Sequence, residues 1–285
     1  MANIRLIKRR IRSIQSTAKI TRAMEMIAAS KMRRTQERGL AARPYAEKIA
    51  QVLANLAGRS SESGEVHPLL VRRPIKNIAI IHMTADRGLC GGLNANMNRL
   101  TMNFAQQEGK AVSMTTVGRK GREFMVRYGF NVRAEFSGLG DRPSLADLSP
   151  IARCVIDDYT NAVVDVVYLA YPKFVTTMTQ RPIMEQLLPI EPAPVTKGQN
   201  VDYIYEPSSD YVLAQLLPRF VEREIYHAVV ETIASEQSAR MVAMRNATDN
   251  AKEFIQELTL VYNKARQEMI TKDIIEVAGA AAMTD

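Results

Sequence analysis

Met244–Ala265, MRNATDNAKEFIQELTLVYNKA, decides the fold. Met244, Ala247, Ala251, Phe254, Leu258, Val261 and Ala265 step by three and four, the spacing that keeps a narrow apolar seam on one side of a slightly underwound helix. The helical pattern extends outward from Pro218 to Ala282. Ile225, Val229 and Ile233 continue an apolar face in looser form, no proline follows Pro218, and Gly279 is the only later glycine. At ~1.5 Å per residue such a helix is about 95 Å long, far beyond the average globular helix. A lone helix of that length needs a partner.

The other end of the chain supplies it. Ile4, Ile7, Ile11, Ile14 and Ala18 step by three and four, and Thr21, Met24, Ala28 and Met32 extend the line with smaller or softer side chains. Two seams at the two termini predict one antiparallel pair. The middle of the chain must then leave and return at one end of that pair, as an insertion. Pro44, inside a pattern that is otherwise helical from Ile4 to about Leu56, predicts a kink or break near Arg43. The expected division is an N-terminal coiled-coil helix over 1–60, an inserted domain over 75–195 and a C-terminal coiled-coil helix over 208–285.

With 285 residues, 46% of them hydrophobic, and no apolar run of transmembrane length, the chain is expected to hold one ordinary domain and an elongated element. Charge is uneven. Residues 1–50 carry thirteen Lys and Arg against three Glu, a net of +10 in a chain whose total is +8. Arg5, Lys8, Arg9, Arg10, Arg12, Lys19 and Arg22, then Lys31, Arg33 and Arg34, flank the first seam, a surface suited to an acidic partner. Read from charge alone, that partner is an acidic protein, a nucleic acid or an anionic membrane, the last two defining the alternative function of a basic coiled-coil binder. The competing interpretation, a solvated helix face, is weakened by the scarcity of balancing Glu. Cys90 and Cys154 form no CxxC or metal spacing, and no secretory signal is visible, so a reducing compartment is expected.

Between the helices the period changes. Asn77–Met83 reads as a buried strand, Thr84–Asn96 as a glycine-rich turn leading into a helix, and Ala111–Val117 as a second strand. Gly118–Tyr128 reads as helix, Phe130–Phe136 as strand, Ser144–Asn161 as helix, Val163–Tyr171 as a strongly apolar strand and Val175–Leu188 as an antiparallel edge strand. Pro189, Pro192, Pro194 and Gly198 mark a linker back to the long helix. This alternation predicts an α/β domain with a mostly parallel, Rossmann-like sheet. Gly88, Gly91 and Gly92 follow the first strand, where such folds place phosphate, yet neither G-x-G-x-x-G nor G-x-x-x-x-G-K-[ST] is present. A structural turn whose glycines permit close helix–strand approach is favoured over an active site. His67, His82 and His227 are scattered, so no catalytic residue, metal ligand or cofactor is assigned, and Cys90 reads as a small buried hydrophobe.

Three stretches carry a resemblance: Ile7–Met32 (IKRRIRSIQSTAKITRAMEMIAASKM), Thr84–Met97 (TADRGLCGGLNANM) and Ser235–Met283, which opens SEQSARMVAMRNATDNAKEF. With these segments in this order, the chain resembles the gamma subunit of the rotary, F-type ATP synthase over essentially its whole length. The resemblance implies a non-catalytic shaft, an antiparallel coiled coil turning inside a ring of three alpha and three beta subunits. Its inserted domain lies beside the epsilon subunit and the membrane ring of c subunits, with no cofactor, small-molecule substrate or nucleic acid of its own. It also assigns parts: Met24 to the acidic loop of a beta subunit, with Lys19, Arg22, Lys31 and Arg33 suited to the same surface; Arg266, Gln267, Thr271 and Glu276 to further beta-subunit contact; Tyr203, Tyr205 and Glu206 to the foot near the c ring. For Met24 the competing interpretation is coiled-coil packing. Ile274–Met283 reads as an apolar tip running in a hydrophobic bearing, the competing interpretation being a frayed terminus. One departure is that the family usually has one more residue between the positions of Glu276 and Gly279, and such a loss rotates every later residue of the helix by about 100°. No inserted cysteine-containing regulatory segment is present and no transit peptide precedes the first motif, which implies a bacterial complex on the cytoplasmic side of the plasma membrane.

Overall fold

The computed structural model describes residues 4–60, 67–191 and 205–281. In chain order the elements are α1 (Ile4–Ser60), a short 3₁₀ turn (Pro68–Leu70), β1 (Asn77–Met83), α2 (Leu93–Glu108), β2 (Ala111–Val117) and α3 (Arg119–Arg127). They continue with β3 (Asn131–Phe136), α4 (Leu145–Thr160), β4 (Val166–Phe174), β5 (Gln180–Leu188) and α5 (Ser209–Ala281). The chain divides into two compact units, Ala29–Arg240, and Met1–Ala28 with Met241–Asp285.

The Ala29–Arg240 unit is built on a five-stranded sheet of order β3-β2-β1-β4-β5. β1 pairs in parallel with β2 and β4, β2 in parallel with β3, and β5 closes one edge antiparallel to β4. Because side chains alternate along a strand, β1 feeds two cores. Ile78 and Ile80 pack with Met97 and Ala105 of α2, Met114 of β2 and Met125 of α3. Ala79, Ile81 and Met83 pack on the opposite face with Ile151 and Val155 of α4, Leu53 and Leu56 of α1, and Leu217, Val221, Ile225 and Val229 of α5. β4 begins at Val166 rather than Val163, and β5 at Gln180 rather than Val175, because residues 175–179 make the turn between them, where the Thr176 and Val175 amides donate to the Thr179 carbonyl.

Within this unit α5 is apolar or buried on several sides, which explains its loose periodicity. Thr232, Ser235 and Ser238 are buried, and each hydroxyl donates to a carbonyl: Ala228 at 2.7 Å, Pro172 at 2.8 Å and Thr177 at 2.7 Å. Both prolines expected to limit helices lie inside them, Pro44 in α1 and Pro218 in α5. An interior proline costs about 3 kcal/mol. Burying Leu213 and Leu217 on one side of Pro218, and Val221 and Ile225 on the other, at about 1.5–3 kcal/mol each, outweighs it.

His82, on β1, is fully buried between α2 and α3. Its Nε2–H donates to Asn98 Oδ1 at 2.9 Å and its Nδ1 accepts the Thr101 hydroxyl at 3.0 Å. Gly121 lies against the ring, where a Cβ would overlap it. Burial lowers the imidazole pKa to about 4, against the opposing pull of the Asn98 hydrogen bond. An unfolded chain therefore takes up a proton near pH 6.5 that the folded chain refuses until about pH 4, so stability falls with pH across that window. The expected loss is at most about 3 kcal/mol. Denaturant titrations at pH 7 and pH 4.5 are expected to show that slope, and His82→Gln to flatten it.

In the other unit the two terminal helix segments run antiparallel. Thr21 meets Thr248 at 2.7 Å, and Glu25 meets Arg245 at 3.0 Å. On α5 the inward line is Met241, Met244, Thr248, Ala251, Ile255, Leu258, Tyr262 and Ala265, all buried or half-buried. Phe254 and Val261, expected in the seam, are instead 56% and 50% exposed. A seam chosen from apolar residues alone passes over Thr248 and shifts alternate positions by one residue. On α1, Ile7, Thr21, Glu25 and Ala28 are buried and Ile4, Ile11, Ile14 and Ala18 half-buried. Glu25, not Met24, keeps the three–four step. Ile255→Asp is expected to destabilise this coil by about 1–3 kcal/mol, and Phe254→Asp by less than about 0.5 kcal/mol. Thermal melts followed by helical circular dichroism compare the two.

Candidate partner-contact surface

In the terminal-helix unit, the outward sides of α1 are basic and apolar together. Lys8, Arg9, Arg10, Arg12 and Lys19 are exposed, and just beyond them along the helix stand exposed Ile20, Met26 and Ile27. Large apolar side chains in a row on a charged helix mark a contact surface. Met24 is half-buried, on the flank between the seam and the Ile20–Ile27 line. Arg22 is exposed but engaged, donating to Glu25 at 2.8 Å. Glu25 is thus held by two guanidiniums from opposite helices while its side chain is only 7% exposed. Burial works to raise its carboxyl pKa, and the hydrogen bonds from Arg245 and Arg22 outweigh it, holding the group below the usual carboxylate range.

Propagating the Thr21–Thr248 register sets Ala18 opposite Ala251, Ile14 opposite Ile255, Ile11 opposite Leu258, Ile7 opposite Tyr262 and Ile4 opposite Ala265. From Arg266 onward no described α1 residue lies in register with α5. Arg266, Gln267, Thr271 and Glu276 are all exposed there, Glu276 paired with Lys272 at 3.6 Å. Gln267 and Thr271 share one face with Lys264, Lys272 and Ile275. Met269, Ile270, Ile274, Ile275 and Val277 are exposed as well. The tip residues beyond Ala281 lie outside the described residues.

The remaining assigned residues belong to the Ala29–Arg240 unit. Lys31 is bound to Asp141 at 2.7 Å and Arg33 to Glu37 at 3.2 Å, so both cations are already engaged. Tyr205 packs against the core beside α5, and Glu206 is exposed. Tyr203 lies outside the described residues, as do Pro192, Pro194 and Gly198 of the expected linker. Four residues that matter here do not stand out in the sequence: Glu25, Arg245, Thr248 and Asp141. Only Glu25 leaves a signal, the three–four step from Thr21 to Ala28.

The glycine-rich loop is tied to itself and its neighbours. Asp86 accepts the backbone amides of Arg119 at 3.0 Å and Gly138 at 2.9 Å, Asn94 Oδ1 accepts the Ala85 amide at 3.1 Å, and Thr84 Oγ1 accepts the Gly121 amide at 2.7 Å. Arg240, paired with Glu236 at 2.6 Å, donates to the Gly88 carbonyl at 3.3 Å. Cys90 is buried, and burial, then the nearby Glu236 charge, raises its thiol pKa away from nucleophilic range. The close approaches expected at Gly88, Gly91 and Gly92 occur elsewhere. A Cβ on Gly88 or Gly91 meets open space, whereas on Gly118 it would overlap the Thr84 carbonyl and on Gly121 the His82 ring. Gly91 serves its left-handed turn, at φ +58. Among the described residues no group of His, Cys, Asp or Glu is arranged to hold a metal ion, and no helix is long and apolar enough to cross a membrane.

The family model described as ATP synthase matches residues 3–283. The chain belongs to the ATP synthase gamma family. The ATP synthase gamma chain of Dehalococcoides mccartyi is 61% identical over 283 residues, covering 99% of each chain. That of Herpetosiphon aurantiacus is 48% identical over 290 residues, covering 99% of this chain and 98% of its own. Among solved structures, a chain of the central stalk and c-ring of the Tetrahymena thermophila mitochondrial ATP synthase superposes with a TM-score of 0.64 at 25% identity, covering 80% of this chain and 99% of that one. The match to ATP synthase gamma chains over nearly the whole chain assigns the basic helix to a member of that family and gives the nucleic-acid or lipid binder no support.

The loop bonds set a test. Asp86→Ala, which strips two amides of their acceptor, is expected to lower stability by about 1–3 kcal/mol, and Gly88→Ala, which enters open space, by less than about 0.5 kcal/mol. Urea unfolding of the two variants beside the parent measures the difference.

Proposed function

We propose that this chain is the non-catalytic rotor shaft of a bacterial F-type ATP synthase, coupling ion-driven rotation of a c ring to conformational change in catalytic beta subunits. In this reading the helices over 1–60 and 208–285 form the axle and the segment over 75–195 forms the foot, beside the epsilon subunit and the c ring. The observation that carries it is the surface of the terminal helices. A family member over its full length leaves Ile20 and Ile27 of α1, and Ile274 and Ile275 of α5, exposed on otherwise charged helices. Such side chains call for a surrounding partner.

A ring of three alpha and three beta subunits meets that need. The basic face of α1, with Lys19, Arg22 and Met24, would meet acidic loops of beta subunits, and Arg266, Gln267, Thr271 and Glu276 would contact them further along α5. Lys31 and Arg33 would join only by exchanging their present partners Asp141 and Glu37. Tyr203, Tyr205 and Glu206 would lie towards the c ring. Coupling of this kind requires only that the shaft make different contacts with different beta-subunit states. The complex would hold the chain peripherally, on the cytoplasmic side of the plasma membrane.

Co-expression with alpha and beta subunits is expected to yield one complex holding a single copy of this chain among three of each, and failure to assemble overturns the proposal. Replacing Lys8, Arg9, Arg12 and Lys19 together by Gln is expected to lower ion pumping per ATP hydrolysed while leaving the melting of the free chain within a few degrees. Unchanged pumping per ATP removes the basic face from the coupling.

A further inference from the structure

We propose that the groove between α2 and α3 is a docking site for an acidic segment of a partner protein, which brings a carboxylate to Asn98, Arg99 and Arg127 and lays an apolar side chain on Met102, Phe124 and Tyr128. The site goes beyond the rotor reading, and none of its residues is among the contacts assigned to the rotor.

Two helix faces without a cover line this groove, about 440 Å³ in volume, within the range of ligand clefts. On α2 they bring Asn98, Arg99 and Met102, and on α3 Lys120, Glu123, Phe124, Arg127 and Tyr128, each set at the three–four spacing of one helix face. The inner faces of the same helices, with Met97 and Ala105 on one and Met125 on the other, pack on β1 and β2. The groove therefore points away from the sheet, on the side opposite α4 and the segments of α1 and α5 that pack with Ile81 and Met83. An occupant there competes with none of those helices.

Asn98 supplies the fixed donor. It is only 6% exposed, and its Oδ1 accepts the His82 Nε2–H at 2.9 Å. Its Nδ2 makes no hydrogen bond to a described residue. Yet no described side-chain nitrogen or oxygen that is sealed from solvent lacks a partner, so this amide opens on the groove whose wall Asn98 helps to form. A donor anchored at its other end by a buried imidazole is pre-organised for an acceptor.

Charge says which acceptor. Arg99 and Arg127 are exposed and form no ion pair with a described residue, whereas Lys120 is bound to Glu123 at 2.7 Å. The Lys120 hydrogen bond, and behind it the Arg119 and Arg127 charges, hold the Glu123 carboxyl below its ordinary range, so it stays an anion and the wall carries three cations against one. The first-turn amides of α3 are already taken by Asp86, Ala85 and Thr84, which leaves recognition to side chains. Two unpaired guanidiniums and an amide suit a carboxylate, which accepts from several donors at once. The remaining wall is apolar: Met102 is half-buried, the Phe124 and Tyr128 ring centroids are 4.4 Å apart, and Tyr128 is 59% exposed. An acidic residue beside an apolar one matches both parts. Nucleic acid is the rival occupant, and the Glu123 carboxylate opposes it, because a phosphate backbone offers no uncharged stretch to lie there.

Fluorescence anisotropy of the full chain with a labelled hexapeptide of alternating Asp and Phe tests the site. The parent is expected to bind it. Arg99→Gln with Arg127→Gln is expected to weaken binding about tenfold, while Arg72→Gln with Arg153→Gln, an equal loss of charge at exposed positions elsewhere, changes it by less than about twofold. An Asn–Phe peptide, without charge, and an Asp–Gly peptide, without rings, are each expected to bind about tenfold more weakly. Asn98→Asp keeps the oxygen that His82 needs and sets a carboxylate where the donor stood, so binding is expected to vanish. If that variant does not fold, the parent decides: the peptide is expected to move the side-chain amide resonance of Asn98 and to leave that of Asn103, exposed elsewhere on α2, in place. An unmoved Asn98 resonance, equal losses from the two arginine pairs, an Asp–Gly peptide that binds as well as the Asp–Phe one, or an oligothymidylate strand that takes the groove more tightly than the peptide overturns the proposal.

Discussion

The contact between Thr21 and Thr248 joins residues 227 positions apart, and the terminal coil depends on that closure. Bringing the ends of so long a loop together carries an entropic cost that grows only slowly with length, yet it must be met before any seam contact returns energy. Folding of the Ala29–Arg240 unit meets most of it. Inside that unit α1 and α5 already run side by side, Gly39 standing against Val230 with room for no more than ordinary contact. Once the sheet, α4 and these helix segments have packed, the segments that form the terminal coil are no longer ends of a long loop. A coil with half-buried layers and a buried carboxylate can form on those terms.

Much of this is legible in residue spacing. The three–four steps at both termini specify an antiparallel pair, and the switch to period two at Asn77–Met83 specifies a sheet between them. Spacing misplaces the seam at Phe254 and Val261 for a physical reason: an apolar count cannot see that Thr248 is satisfied by a hydroxyl across the interface, or that Glu25 is satisfied by two guanidiniums. Each of those partners lies more than two hundred residues away or depends on one that does. The prolines mislead in the opposite sense, since the local cost of Pro218 is visible in sequence while the burial of Leu213 and Leu217 that offsets it is not.

The contact surface shows the same limit. The basic bias of the first helix is plain from composition, but which cations are available is not. Lys31 is committed to Asp141, a loop residue with no sequence signal, and Arg22 to Glu25. Lys19 and the Lys8–Arg12 group remain exposed. The glycine-rich loop is a turn, as its spacing indicates, although the tight places are Gly118 and Gly121, where the first turn of α3 presses on Thr84 and His82.

The stretch of α5 from Arg266 onward has a consequence for how such a machine is put together. A run of about fifteen residues with no described residue of α1 beside it would be marginal as an independent helix in water. In the rotor reading its helical form would be supported by whatever encloses it. Association then doubles as inspection: a cavity of the wrong width or lining gains nothing from receiving the segment, while a matching one supplies the missing free energy at the moment of entry. In the rotor reading, fidelity of assembly would rest on the part of the chain least able to stand alone.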